Sequence, residues 1–322
     1  MSKLLKALPV LAGVLMASVS FNSVAQQSVD KTIDISAGTQ IYLNNERGEL
    51  EVITHDKSQV RLVGTLDENA EELIFELRGN GVRIEVRTPE QNGWSYNDEE
   101  GSELTLYMPS TSPLKVEGVS MDVRASDLQA GTDITLVSGD IKLTNAARDV
   151  LLKTVSGDIK ASQLAGDVTL ETVSGDITDI ENAATVAKYQ AVSGDVDVQS
   201  DTLKRFQLQN VSGDVEMRLP AVDSGDVKNV SGDVDITLGL NDTASLDASS
   251  VSGDLNFRLL GEVNATFDLK ANAGGDIVNG ITDAKADESR WGASSSLDFT
   301  AGSGAARVKM STVSGTIEIR SE

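Results

Sequence analysis

Short runs of alternating apolar and polar residues, each bracketing a glycine, cover the second half of the chain. Two residues after the glycine stands an apolar side chain: Ile141, Ile159, Ile177, Val196, Val215, Val234, Leu255, Ile277 and Ile317. Seven and five residues before it lie further apolar pairs, such as Val150 and Leu152, Phe206 and Leu208, or Val308 and Met310. Alternation with a period of two is that of a strand with one buried face, and helical spacing does not fit these segments. Each unit therefore reads as two short strands joined at a glycine corner.

The corners keep time. Gly139, Gly157, Gly175, Gly194, Gly213, Gly232 and Gly253 follow one another at 18, 18, 19, 19, 19 and 21 residues, with Gly275 and Gly315 further on, mostly inside the phrase Val-Ser-Gly-Asp-[Ile/Val]. A fixed period of this size marks a stacked repeat. Two strands in 18 or 19 residues suit one coil of a parallel β-solenoid, with equivalent strands of successive coils pairing side by side. An antiparallel meander shares the alternation and is the competing topology. In the solenoid the aliphatic residues of successive phrases form one internal column. At ~4.8 Å per coil, nine coils extend roughly 40 Å.

The expected class is thus all-β: a solenoid over residues 121–322, with an N-terminal β-region over 26–120 continuous with it. In the N-terminal region Lys31 to Ser36, Gly48 to Thr54, Gln59 to Leu66 and Gly81 to Arg87 read as strands, and "NNERGELEV" around Gly48 reads as a degenerate first beat. An irregular insertion near residues 279–296 accounts for the long final step, and Gly315 to Arg320 reads as the closing strand.

Residues 1–25 read as an export signal. Lys3 and Lys6 precede the apolar run Ala7 to Phe21, and Ser23-Val24-Ala25 supplies the small residues of a cleavage site. That run is shorter than the ~20 residues of a spanning helix. The chain contains no cysteine, which closes the lipoprotein route and excludes disulfides. The mature product is expected in the periplasm, secreted or at the cell surface, and not as an integral membrane protein. A net charge of −23 opposes nucleic acid and anionic lipid. An envelope protein, a basic peptide or a glycan is the expected partner.

Candidate chemistry is sparse. Asp140, Asp158, Asp176, Asp195, Asp214, Asp233, Asp254 and Asp276 each follow a corner glycine and should form an outward row. Calcium is the cation such a row would hold. The repeat toxins that bind calcium in this way use a nine-residue glycine-rich beat, whereas here the period is doubled. Gly166-Asp167 and Gly225-Asp226 hint at a half-beat. Turn aspartates hydrogen-bonded to backbone are the structural alternative. No other cofactor is implied. His55, the single histidine, reads as a surface residue. No nucleophile elbow, phosphate loop or His/Cys cluster is present, so no catalytic residue is assigned. Polysaccharide lyases and glycosidases on β-solenoids use carboxylates in a groove, and a carbohydrate-active enzyme is the alternative to a non-catalytic role. Trp94, Tyr96 and Trp291 stand in polar loops, placed either as contact anchors or as caps on the core.

The V-S-G-D-[IV] beats, the D-V-x-L strands before them and the upstream "GELEVITHDKSQVRLVGTL" resemble the bacterial putative-adhesin family. This is an exported β-strand-repeat domain of unknown function, and the resemblance runs over roughly residues 35 to 320. It implies the repeat fold and an adhesin-like binding or scaffold role in the envelope. It brings no active-site motif. Thr316 departs from the pattern by standing where the other phrases have aspartate.

Overall fold

The computed structural model describes residues 27–89, 101–288 and 294–322. The export signal expected at 1–25, and Trp94, Tyr96 and Trp291, lie outside the described residues. The chain is all-β, and its repeats form a parallel β-solenoid. In one representative coil Val150–Ser156 runs to the Gly157 corner and Ile159–Leu164 continues in the second sheet. Successive coils pair in parallel and in register. Val150 lies beside Val168, Val168 beside Ala187, and Ala187 beside Phe206. In the second sheet Ile141, Ile159, Ile177 and Val196 are neighbours in turn. This pattern excludes the antiparallel meander for the repeats.

The second residue after each corner glycine, from Ile141 to Leu255 and Ile317, is fully buried and forms the expected internal column, whereas Ile277, at the capped end, is only partly buried. The leading valine of each phrase does not join it. Val119, Val137, Val155, Val173, Val192, Val211, Val230, Val251 and Val313 are 43–52% exposed and line up on the outside. The reason is strict alternation. Leu152 points inward, so Thr154 does too, and Val155 must face water. Burying Thr154 rather than Val155 carries little penalty, because its hydroxyl donates to the carbonyl of Gly139 at 3.1 Å. Asn210 and Asn229 occupy the equivalent inner position and donate to the Gly213 and Gly232 carbonyls at 2.6 and 2.7 Å.

The corner glycines are required by close stacking. Gly194 has φ of 142°, and a Cβ there would lie 2.0 Å from the carbonyl oxygen of Gly175. No side chain fits that approach.

Both ends of the solenoid depart from chain order. Strand Gln40–His55 serves both sheets of one coil and is clamped on its two sides. Ile41 lies between Val82 and Leu114, and Leu50 between Leu104 and Val123. Strands Glu72–Arg78, Gln59–Thr65 and Ser28–Asp34 pair antiparallel beyond it. At the other end Ala306–Ser314 and Ile317–Ser321 slot between two earlier coils. Leu246 and Phe267 flank Val308, while Leu255 and Ile277 flank Ile317. The last phrase is therefore an interior coil, not the closing strand expected from its position. The last phrase presents the same inward residues and edge N–H groups as the earlier ones, so sequence order does not dictate stacking order. Antiparallel pairing of Ala265–Asn272 with Ser294–Ala301, and of the latter with Asp287–Glu288, covers the edge at this end.

Candidate functional site

Each corner contributes three outward elements in sequence: a valine, a serine and an aspartate. The aspartates form one hydrogen-bonded ladder along the solenoid. The backbone N–H of Asp140 donates to Asp122 Oδ1 at 2.8 Å, that of Asp158 to Asp140 at 2.8 Å, and that of Asp176 to Asp158 at 3.0 Å. Asp195, Asp214, Asp233 and Asp254 continue the chain at 2.8–2.9 Å. It ends with Thr316 N–H donating to Asp254 at 2.7 Å. Each interior carboxylate thus uses one oxygen to hold the next coil and keeps the other for solvent or a neighbour. That second oxygen of Asp158 takes Lys160 Nζ at 3.1 Å. The Asp176 N–H, together with Lys160, holds the Asp158 carboxyl below the usual carboxylate range.

The ladder explains both of its ends. At the C-terminal end Thr316 needs to supply only its N–H, so an aspartate there is dispensable. Asp276 lies outside the ladder and contributes its backbone carbonyl to Ile317 N–H at 2.9 Å. At the N-terminal end Asp122 belongs to the phrase Val119-Ser120-Met121-Asp122-Val123, which the glycine pattern conceals because Met121 occupies the glycine position. The signal that could have found it is spacing: Met121 and Asp122 stand 18 residues before Gly139 and Asp140, one period back. Among the described residues, no three His, Cys, Asp or Glu side chains converge as a metal site.

The far ends of the first-sheet strands border a furrow of about 600 Å³ with mixed charge, lined by Asp167, Lys188, Arg205, Gln207, Asp226 and Asp247. Lys188 pairs there with Glu171 at 3.2 Å. Gly225 marks no half-beat. It lies against the Phe206 ring, and a Cβ on it would come 2.5 Å from Phe206 Cζ. His55 ends its strand half-buried, and its Nδ1 accepts the Lys57 N–H at 3.2 Å.

Within the repeats the core holds an ionisable cluster around Asp179. Asp179 occupies the internal column between Ala161 and Val198, fully buried. Tyr189, also fully buried, donates its hydroxyl to Asp179 Oδ2 at 2.7 Å, and Asn182 Nδ2 donates to the same oxygen. Asp179 Oδ1 has no partner. Burial, against the bonds from Tyr189 and Asn182, pushes the Asp179 carboxyl up to about 6. Alternation from the inward Ile177 puts Asp179 on the inner face, but nothing in the sequence marks Tyr189 and Asn182 as its partners.

Three solved structures match the chain at low identity. A putative lipid binding protein from Parabacteroides distasonis is 14% identical, with 91% of this chain and 96% of that chain covered and a TM-score of 0.43. A putative cell adhesion protein from Clostridium sporogenes is 11% identical, with 92% and 100% covered and a TM-score of 0.22. A putative adhesin from Bacteroides fragilis is 13% identical, with 92% and 98% covered and a TM-score of 0.34. No curated protein matches the chain. The Toastrack DUF4097 family model matches residues 39–320, which span the Gln40–His55 strand, the valine and aspartate columns and the inserted last coil. The chain belongs to the Toastrack DUF4097 family.

Proposed function

We infer that the protein is a non-catalytic binding or scaffold component of the cell envelope, adhesin-like in using a long regular surface. It is exported after cleavage before Gln26. The observation that carries this reading is the exposed column of nine valines beside the aspartate ladder. Other outward columns on the same strands vary freely: Lys115, Asp133, Leu151, Thr169 and Lys188 occupy one equivalent position. A column that keeps one apolar residue in water through nine coils has a use beyond solubility. The aspartates are engaged in holding coils together, which leaves them poorly placed for acid–base work.

Two assays test the reading. Incubation of the purified protein with envelope and plant polysaccharides should release neither new reducing ends nor unsaturated sugars. Appearance of either would establish the lyase or glycosidase alternative. Pull-down from envelope extract should retain a partner that survives washing. Recovery of none, with the protein folded, would overturn the binding role.

A further inference from the structure

The valine strip is not electrostatically uniform along its length. In the Met121, Gly139 and Gly157 coils, the outward residue after the first buried one is basic: Arg124, Lys142 and Lys160. In the Gly194, Gly213 and Gly232 coils the same column holds Asp197, Glu216 and Asp235. These three lie two residues beyond Asp195, Asp214 and Asp233. Six carboxylates therefore crowd three adjacent coils beside Val192, Val211 and Val230, which are 43–44% exposed. Arg218 pairs with Glu216 at 2.7 Å, both largely in solvent. Neighbouring unit charges about 5 Å apart repel even in bulk water. Burial, with the nearby charges of Asp233 and Glu216, holds the Asp235 carboxyl above the usual carboxylate range.

The geometry points to this segment, Val192, Val211 and Val230 with Asp197, Glu216 and Asp235, as the docking site for an extended cationic polypeptide that also carries apolar side chains. It rests on the binding role inferred above and names the partner's chemistry. The valines offer an unpartnered apolar ridge, and six carboxylates against Arg218 and Arg258 leave the flank net negative, so apolar and basic groups must reside on one partner. A second copy set antiparallel would bring Arg124, Lys142 and Lys160 to this flank, so self-association in sedimentation that V192T/V211T/V230T abolishes would overturn the assignment. Anionic lipid is excluded by charge.

The test uses the full mature protein and a fluorescein-labelled twelve-residue peptide of alternating lysine and valine, read by polarisation at low and moderate salt. Controls are a lysine–serine and a glutamate–valine peptide. The lysine–valine peptide should bind, the lysine–serine peptide at least fivefold more weakly, and the glutamate–valine peptide not at all. V192T/V211T/V230T keeps the branched packing of the column and should weaken binding at least fivefold. D197N/E216Q/D235N leaves the aspartate ladder untouched and should weaken binding while flattening its salt dependence. V119T/V137T/V155T, in the basic half, should bind as the parent does. Circular dichroism confirms folding of each variant. Equal binding by the parent and both acidic-half variants, or equal loss in the basic-half variant, overturns the assignment. An envelope partner whose capture survives the acidic-half variants would leave the binding role standing and remove this site from it.

Discussion

Removing the charge of Asp179 tests the account of the core most sharply, because the sign of its effect is fixed. The group ionises near 3.8 in an unfolded chain and at about 6 in the folded protein. Its folded pKa is raised, so its contribution to stability is complete below pH 3.8 and is lost as pH rises through 6. A shift of roughly two units corresponds to about 3 kcal/mol at 1.4 kcal/mol per unit. The cause is local. Tyr189 and Asn182 both serve Oδ2, no cation approaches, and Oδ1 is buried without a partner. The perturbation is Asp179→Asn, which keeps the shape and removes the ionisation. Urea unfolding of both proteins from pH 4 to pH 8, followed by circular dichroism, cancels the titration of all shared carboxylates. The variant should gain about 2 kcal/mol relative to the parent between the two ends of that range, since pH 4 already lies above the unfolded value, with most of the change complete by pH 7. A parent–variant difference that is flat with pH would refute a buried, raised Asp179, and so would one that grows toward acid.

At the N-terminal end, Arg47 bonds Asp67, whose side chain is 1% exposed. Burial acts to raise the Asp67 carboxyl, but Arg47 and the Asn69 N–H outweigh it and hold the group below its ordinary value. Arg47→Ala should cost about 3 kcal/mol at pH 7 by leaving a buried charge unpaired. That loss should shrink as pH falls below 3.8 through the lowered folded value, as followed by denaturant unfolding. Gly194→Ala places a methyl against the Gly175 carbonyl at a φ of 142° and should destabilise by at least ~2 kcal/mol. A thermal melt matching the parent would contradict the tight stacking. Ending the chain at Gly304 removes the coil through which Ala265–Asn272 and Ile277–Gly280 pair with the solenoid. Limited proteolysis should then digest residues 261–304 while sparing residues 114–260, and a protected cap would show another attachment.

The period of the glycines and the alternation around them were enough to read the coil, its two strands and its parallel stacking. The side on which each valine falls was also encoded, because Leu152 inward forces Thr154 inward and Val155 outward. Hydrophobicity argued the other way and concealed it. A threonine or asparagine at the inner position is acceptable only where a corner carbonyl lies within reach, as Gly139 does for Thr154, and that is a property of the stacked coils. The order of the coils was not legible. Val308 and Ile317 present the same edge as any other phrase, so their place between Leu246 and Phe267, and between Leu255 and Ile277, emerges only from pairing. The Asp122 end of the ladder was hidden by one methionine.

A pair of introduced cysteines tests the stacked, outward phrases and the inserted last coil together, since the chain has no cysteine of its own. Val251 and Val313 lie between the paired residues Ser250 and Thr312 and the paired residues Ser252 and Ser314, on adjacent coils. Neighbouring strands ~4.8 Å apart fall within the Cα separation that a disulfide accepts. Under mild oxidation V251C/V313C should crosslink almost completely with the fold intact, whereas V230C/V313C, two coils apart, should stay reduced. Failure of the first pair to close, or closure of the second in its place, would contradict the stack.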